Sequence, residues 1–171
     1  MMEPWRCQIC GETYLGSEVP DSCPYCGSAG ENLVIAAEYV DYGEIELSEK
    51  SRKDCQKALE LENNNTAFYK KCAAEAENKI SKAIFKRLAK HEGEHAELIA
   101  DMMGIEEGEL PEVDIPDKDF DRFEEARKHE HDAINFYLSI AERAPEKRVR
   151  QVFRAIADVE LEHKKLANII K

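Results

Sequence analysis

The sequence predicts a mainly α protein in which a four-helix bundle follows a small β module, and three observations lead there. Four of the six cysteines, Cys7, Cys10, Cys23 and Cys26, are gathered near the start of the 171-residue chain. From Ser48 onward the pattern is helical, interrupted by the stretch from Gly104 to Pro116 and again at Pro145. The helical part is also an imperfect repeat of itself, offset by 68 residues.

Composition narrows the classes of function. Hydrophobic residues make up 43% of the chain, enough for a core, and the 35% that are charged, with only six prolines, suit long helices with solvated faces. A formal charge of −12 argues against nucleic acid and against anionic membrane surfaces as partners. No apolar run approaches the ~20 residues of a membrane span. The stretch Met1 to Arg6 lacks a basic region followed by an apolar one, so no secretory signal is read and a cytoplasmic protein is expected. In that compartment six cysteines serve better as metal ligands than as disulfides.

The first element is the cysteine module. Two Cys-x-x-Cys knuckles, separated by twelve residues, can place four thiolates on one tetrahedral ion. Thiolates favour zinc or iron, and spacing leaves a structural zinc staple and a redox iron centre both open. Gly11 and Gly27 follow the two pairs, where the chain must turn tightly around sulfur. Pro20 and Pro24 stiffen the intervening loop, and Trp5 and Tyr14 can cover so small a core. The apolar run Asn32 to Ala36 reads as a strand closing the module, and the polar connection Asp41 to Glu46 leads to a helix start at Ser48. These features divide the chain into residues 1–40, a four-cysteine module, and residues 41–171, the bundle.

Four helices follow. In the first, Leu59, Phe68, Cys72 and Ala76 allow an amphipathic stripe. The second spans about Ile80 to Met103 and stops at Gly104, a C-cap residue. The acidic stretch to Pro116 is too long for a tight hairpin and reads as a crossover. Asp117 or Asp119 can cap a third helix ending near Ala144, and Pro145 suits the first turn of a fourth that runs to the carboxyl terminus. Four long helices with one long middle connection describe a ferritin-like bundle.

The repeat carries the chemistry. A shift of 68 puts Glu62 on Glu130, Phe68 on Phe136, Tyr69 on Tyr137 and Phe85 on Phe153. It also puts Ala89 on Ala157, Glu92 on Glu160, Glu94 on Glu162 and His95 on His163. The first and third helices thus each supply one glutamate, and the second and fourth each supply a Glu-x-x-His. Positions i and i+3 share a helix face, so each such pair aims both ligands at one place. Four carboxylates and two imidazoles form an oxygen and nitrogen shell suited to iron or manganese, and the four negative charges balance two divalent ions. Tyr69 and Tyr137 lie two turns beyond the lone glutamates, either hydrogen-bonding to the carboxylates or serving as core aromatics.

A second motif overlaps the first. His91-Glu92-Gly93-Glu94-His95 fits the H-E-x-x-H pattern of zinc proteases. Under the shift His91 falls on Val159, so that histidine lies outside the repeat. The downstream glutamates 106, 107, 109 and 112 offer no distinctive third ligand. His91, like His129 and His131, reads as a near-site or surface residue. Cys55 and Cys72 lie on one helix about 25 Å apart by helical rise and read as buried thiols.

These residues carry a family resemblance over nearly the whole chain. Trp5-Arg6-Cys7-x-x-Cys10-Gly11, Gly16, Pro20 and Cys23-Pro24-x-Cys26 resemble the rubredoxin-like module of rubrerythrins, and the two Glu…Glu-x-x-His blocks resemble their ferritin-like di-iron domain. The module comes first here, as in the reverse rubrerythrins. The resemblance implies a four-cysteine iron centre, with zinc the alternative, that passes electrons to a non-haem, carboxylate-bridged di-iron site reducing hydrogen peroxide to water. It implies that Glu92 and Glu160 bridge the metals, that Glu62 and Glu130 are terminal, and that His95 and His163 bind one iron each. It further implies an external electron-donor protein and a homodimer or larger homo-oligomer in which one subunit's module docks near another's di-iron site. One position departs from the family pattern: the extra glutamate expected three residues after the third-helix ligand is Ala133, and its first-helix equivalent is Asn65. That departure gives weight to oxygen or iron(II) as the substrate, in a ferroxidase or iron-binding protein with a structural zinc module.

Overall fold

The computed structural model describes residues 1–43 and 45–166. Three short strands, β1 (Glu3–Cys7), β2 (Thr13–Gly16) and β3 (Leu33–Ile35), form an antiparallel sheet in the order β2-β1-β3. The register sets Trp5 opposite both Tyr14 and Ile35, so the aromatics sit side by side as lids on the module. Gly11 and Gly27 adopt positive φ of 83° and 79°, the conformation in which only glycine is unstrained. The run read as a strand over Asn32–Ala36 is one from Leu33 to Ile35.

Four helices follow: α1 (Glu49–Ala74), α2 (Lys79–Met103), α3 (Asp119–Arg143) and α4 (Lys147–Leu166). The Ser48 side chain accepts from the Ser51 N–H and caps α1. Glu146 reinforces that end from the start of α4, accepting from the Ser48 N–H at 2.6 Å and the Ser51 hydroxyl at 2.5 Å. Gly104 ends α2 in the left-handed region with φ 67°, as its sequence position predicts. The start of α3 differs from expectation. Asp119 is its first residue rather than its cap, and Lys118 caps without a side-chain bond. The reason is tertiary: the Asp119 carboxylate accepts from the Glu77 N–H at 3.0 Å, and Glu77 accepts from the Asp119 N–H at 2.8 Å. The α1–α2 turn thereby supplies the cap from across the bundle. Pro145 likewise sits two residues before α4, and the expected continuation to the carboxyl terminus lies outside the described residues.

Helix α1 packs chiefly on α2 and α3 on α4. The segment between α2 and α3 crosses the bundle as an ordered strap. Asn63 donates to the Glu107 carbonyl at 2.8 Å and Lys71 to the Val113 carbonyl at 2.6 Å. Two apolar clusters form the core. One gathers Phe68, Tyr69, Phe85, Leu88 and Phe123; the other gathers Tyr137, Ile140, Val149, Val152, Phe153 and Ile156. The second also contains Cys7, Ile9, Cys23, Cys26 and Leu33, so the cysteine module shares a core with the bundle. Among the described residues no helix is long and apolar enough to cross a membrane.

Candidate metal centres

The cysteine cluster forms where the two knuckles face each other. Cys7 lies 3.9 Å from Cys26 and Cys10 lies 3.8 Å from Cys23, sulfur to sulfur. A metal–sulfur bond of about 2.3 Å places the corners of a tetrahedron about 3.8 Å apart, so the sulfurs already span a four-thiolate shell. The Ile9 N–H donates to the Cys7 sulfur at 3.4 Å. Such backbone donors favour thiolate over thiol. All six cysteines are free thiols, and burial pushes both Cys55 and Cys72 up to about 12, which suits inert core residues.

The second cluster lies inside the bundle. Glu62 and Glu92, with His95 and Glu160, form one group, and Glu92, Glu130, Glu160 and His163 form another; within each the donor atoms lie within 4.8 Å of one another. The groups share Glu92 and Glu160. All six residues are essentially sealed from solvent. The Glu160 carboxylate spans the pair, 3.0 Å from His95 Nδ1 and 2.7 Å from His163 Nδ1. His163 Nδ1 also stands 3.0 Å from Glu92.

The polar atoms of this cluster are close without being satisfied. Glu62 Oε2, Glu130 Oε2, both oxygens of Glu92 and of Glu160, and Nδ1 of both histidines lack an aligned hydrogen-bond partner. Eight orphaned buried atoms in one place would be a heavy burden in a settled core, where such groups cost ~1–3 kcal/mol each. Their lone pairs converge on shared points instead of on one another, as ligands do. The oxygen and nitrogen set and its spread fit two ions held at about 2.0–2.2 Å. With sulfur at one cluster and carboxylate and imidazole at the other, both sites are consistent with iron.

Electrostatics give the same reading. Burial lifts Glu92 well above the usual carboxylate range, and Glu160 and Glu62 add to the effect. Burial, then Glu92 and Glu160, do the same to Glu130. Glu160 goes the other way: burial opposes ionisation, but His163 and His95 outweigh it and hold its carboxyl low. Desolvation works against both imidazolium forms, yet the carboxylates raise His163 and carry His95 well above its ordinary value. Without metal the cluster therefore holds protons where the ions would sit.

The tyrosines cross over. Tyr69 on α1 donates to Glu130 on α3, and Tyr137 on α3 donates to Glu62 on α1 at 2.5 Å. Burial, then the neighbouring carboxylates, raise both phenols, so they remain donors. Each leaves one oxygen of its glutamate for the cluster, and each belongs to one of the two apolar clusters.

Residues outside the ligand reading also hold the module against the bundle. Buried Arg148 on α4 donates to the carbonyls of Gln8 and Ile9, both at 2.6 Å, clamping the first knuckle. Arg87 on α2 donates to the Pro24 carbonyl at 2.8 Å in the second knuckle. His91 is half-buried under Gly27, with Nδ1 3.0 Å from His163 Nε2. No sequence pattern distinguishes the two arginines from surface cations. His91 was visible as a motif residue but drops out of the repeat. One connection joins the clusters themselves: His95 Nε2 donates to the carbonyl of Cys26 at 2.9 Å. The module thus sits on the cluster of its own chain.

Comparison with known proteins places both halves. Residues 5–32 match the rubredoxin-like domain of rubrerythrin, and residues 54–170 match the ferritin-like domain. Reverse rubrerythrin-1 of Clostridium acetobutylicum is 26% identical over 115 residues, covering 60% of this chain and 63% of that protein. The match therefore spans less than two thirds of the relative's length. No solved structure gives a significant match.

Proposed function

The chain belongs to the rubrerythrin family in its reverse domain order, a family of iron-centre oxidoreductases, and on that premise we propose that it reduces hydrogen peroxide to water. Glu62, Glu92, His95, Glu130, Glu160 and His163 would hold two irons, with Glu92 and Glu160 common to both groups, and Cys7, Cys10, Cys23 and Cys26 would hold a third. When bound, irons held by the bundle and by the four cysteines would supply the two electrons that reduce the peroxide, drawn from an external donor protein. Two protons accompany the two electrons, giving two waters.

The chain's own residues account for the rest. The four carboxylates would neutralise two divalent charges in a site closed to bulk water, which restricts entry to small substrates. Tyr69 and Tyr137 fix the orientation of the terminal glutamates and place phenolic protons beside them. The Cys26 carbonyl accepts the Nε2 proton of His95, which fixes the tautomer that turns Nδ1 toward the cluster. That single bond, linking a cysteine of one site to a histidine of the other, is the observation that carries the proposal. An electron relay gains from so short a path between the two sites. We further propose a cytoplasmic homodimer or larger homo-oligomer.

One observation favours a second reading. Ala133 is fully buried where the family pattern has an acid, and Asn65 is buried at the equivalent place on α1. A cluster without that extra carboxylate suits oxygen or iron(II) as substrate, with zinc in the module. The deciding experiment uses the anaerobically prepared full chain, with metal content measured. Peroxide reduction predicts that a donor bleaches the thiolate–iron absorption and that hydrogen peroxide restores it. A reduced spectrum that persists under excess peroxide, with iron at both sites, refutes the proposal. Zinc in the module with iron(II)-dependent oxygen uptake supports the second reading.

A further inference from the structure

The 68-residue repeat makes the two metal positions look equivalent, and the structure makes them different at one pair of residues. His91 and Val159 occupy corresponding places, and both face Gly27 of the second knuckle. A Cβ on Gly27 would lie 2.9 Å from Val159 Cγ1 and 3.1 Å from His91 Nδ1, so the module is seated between them. On the Val159 side the aliphatic group only packs, and the backbone of Cys26 supplies the acceptor for His95 Nε2. On the other side His91 Nδ1 stands 3.0 Å from His163 Nε2, with the ring planes within 17° of each other.

We propose that His91 is the positioning residue of His163, supplying from a side chain the acceptor that Cys26 supplies to His95 from the backbone. The inference rests on the reading of His163 as a metal ligand. His163 Nδ1 faces Glu160 and Glu92, so with Nδ1 committed to a metal its proton must sit on Nε2. His91 Nδ1 then has to accept, which requires neutral His91 with its proton on Nε2. A bond to the outer nitrogen fixes ring orientation and raises ligand basicity. Because Gly27 covers His91, seating of the module organises both imidazoles, one through each half of the repeat.

Two substitutions separate this role from packing. His91→Phe keeps a ring beneath Gly27 but removes the acceptor; His91→Asn gives up the ring but keeps an acceptor oxygen near the place of Nδ1. In anaerobic iron(II) titrations of the full chain, His91→Phe should weaken one of the two bundle irons by about 10–100-fold and leave the other unchanged. His91→Asn should restore it to within a few-fold of wild type. A packing role gives the reverse order, and equal binding in all three proteins also overturns the proposal. If the wild-type bundle loads no metal, the ligand reading falls and the role of His91 with it. A readout that needs no variant is the ¹⁵N spectrum of the zinc-loaded wild-type chain. A proton on His163 Nε2, with nitrogen–nitrogen coupling to His91 Nδ1 across the bond, is expected; a proton on His91 Nδ1 refutes it.

Discussion

Gly27→Ala tests how tightly the cysteine module is held on the bundle, and Gly11→Ala is its internal control. Both glycines have nearly the same positive φ, 79° and 83°, and both follow a Cys-x-x-Cys knuckle. The left-handed region costs an alanine about 1–2 kcal/mol at either place. The loss of unfolded-state freedom is also common to both. Their surroundings differ. At Gly11 the nearest atom to a new Cβ is the Tyr39 hydroxyl at 3.4 Å, an ordinary contact. At Gly27 the new Cβ meets Val159 at 2.9 Å and two atoms of the His91 ring at 3.1 and 3.2 Å, all on α2 and α4. Neither neighbour can withdraw easily, since Val159 is buried and His91 is bonded to His163. Overpacking of that kind costs about 1–3 kcal/mol, which brings Gly27→Ala to about 2–5 kcal/mol against about 1–2 for Gly11→Ala. Urea unfolding of identically metal-loaded chains reads the difference as a lower midpoint at unchanged slope. The same clash lifts Cys26 from His95, so peroxide-driven reoxidation of the thiolate iron should slow in Gly27→Ala alone. Equal midpoints and equal reoxidation in the two variants would show that the module does not bear on the bundle through Gly27.

Other expectations follow from the site. Metal-free protein should lose stability as pH rises. Glu92 and Glu130 are raised in the fold, so the unfolded chain sheds their protons first once pH passes the ordinary carboxylate value. The raised His95 and His163 contribute stability that is present below the ordinary imidazole value and lost as pH climbs through their folded values. Glu160 acts oppositely, but its depressed value puts its loss at more acidic pH. A melting temperature of the metal-free chain that is flat or rising between pH 5 and about 8 contradicts this, as does a metal-free chain that melts with the loaded one. Tyr137→Phe strips Glu62 Oε1 of its donor inside the core and should cost about 1–3 kcal/mol in chemical denaturation without emptying the site; a neutral substitution would make Tyr137 a packing residue only. Glu160→Ala, which removes one of the two carboxylates common to both groups, should abolish iron loading of the bundle and leave the thiolate–iron spectrum intact. Unaltered iron content would refute the ligand reading.

Much of this protein was legible in the sequence because its information is local or periodic. The knuckle spacing, Gly11 and Gly27 after the cysteines, the Ser48 cap and the Gly104 stop each follow from the chemistry of a few neighbouring residues. The internal repeat then tied Glu62, Glu92 and His95 to Glu130, Glu160 and His163, since equal register on paired helices must bring equal residues to one axis. What sequence could not supply were contacts whose partners lie far apart and follow no period. Sequence placed each tyrosine on the face of its own glutamate, whereas packing sends Tyr69 to Glu130 and Tyr137 to Glu62. Only tertiary structure seats the module over α2 and α4, where Arg148 and Arg87 grip carbonyls that no side-chain pattern announces. His91 shows the limit most clearly. A repeat can identify what its two halves share, and by the same logic it sets aside the residue at which they differ. The module breaks the symmetry by lying over α2 and α4, and beneath it His91 meets His163.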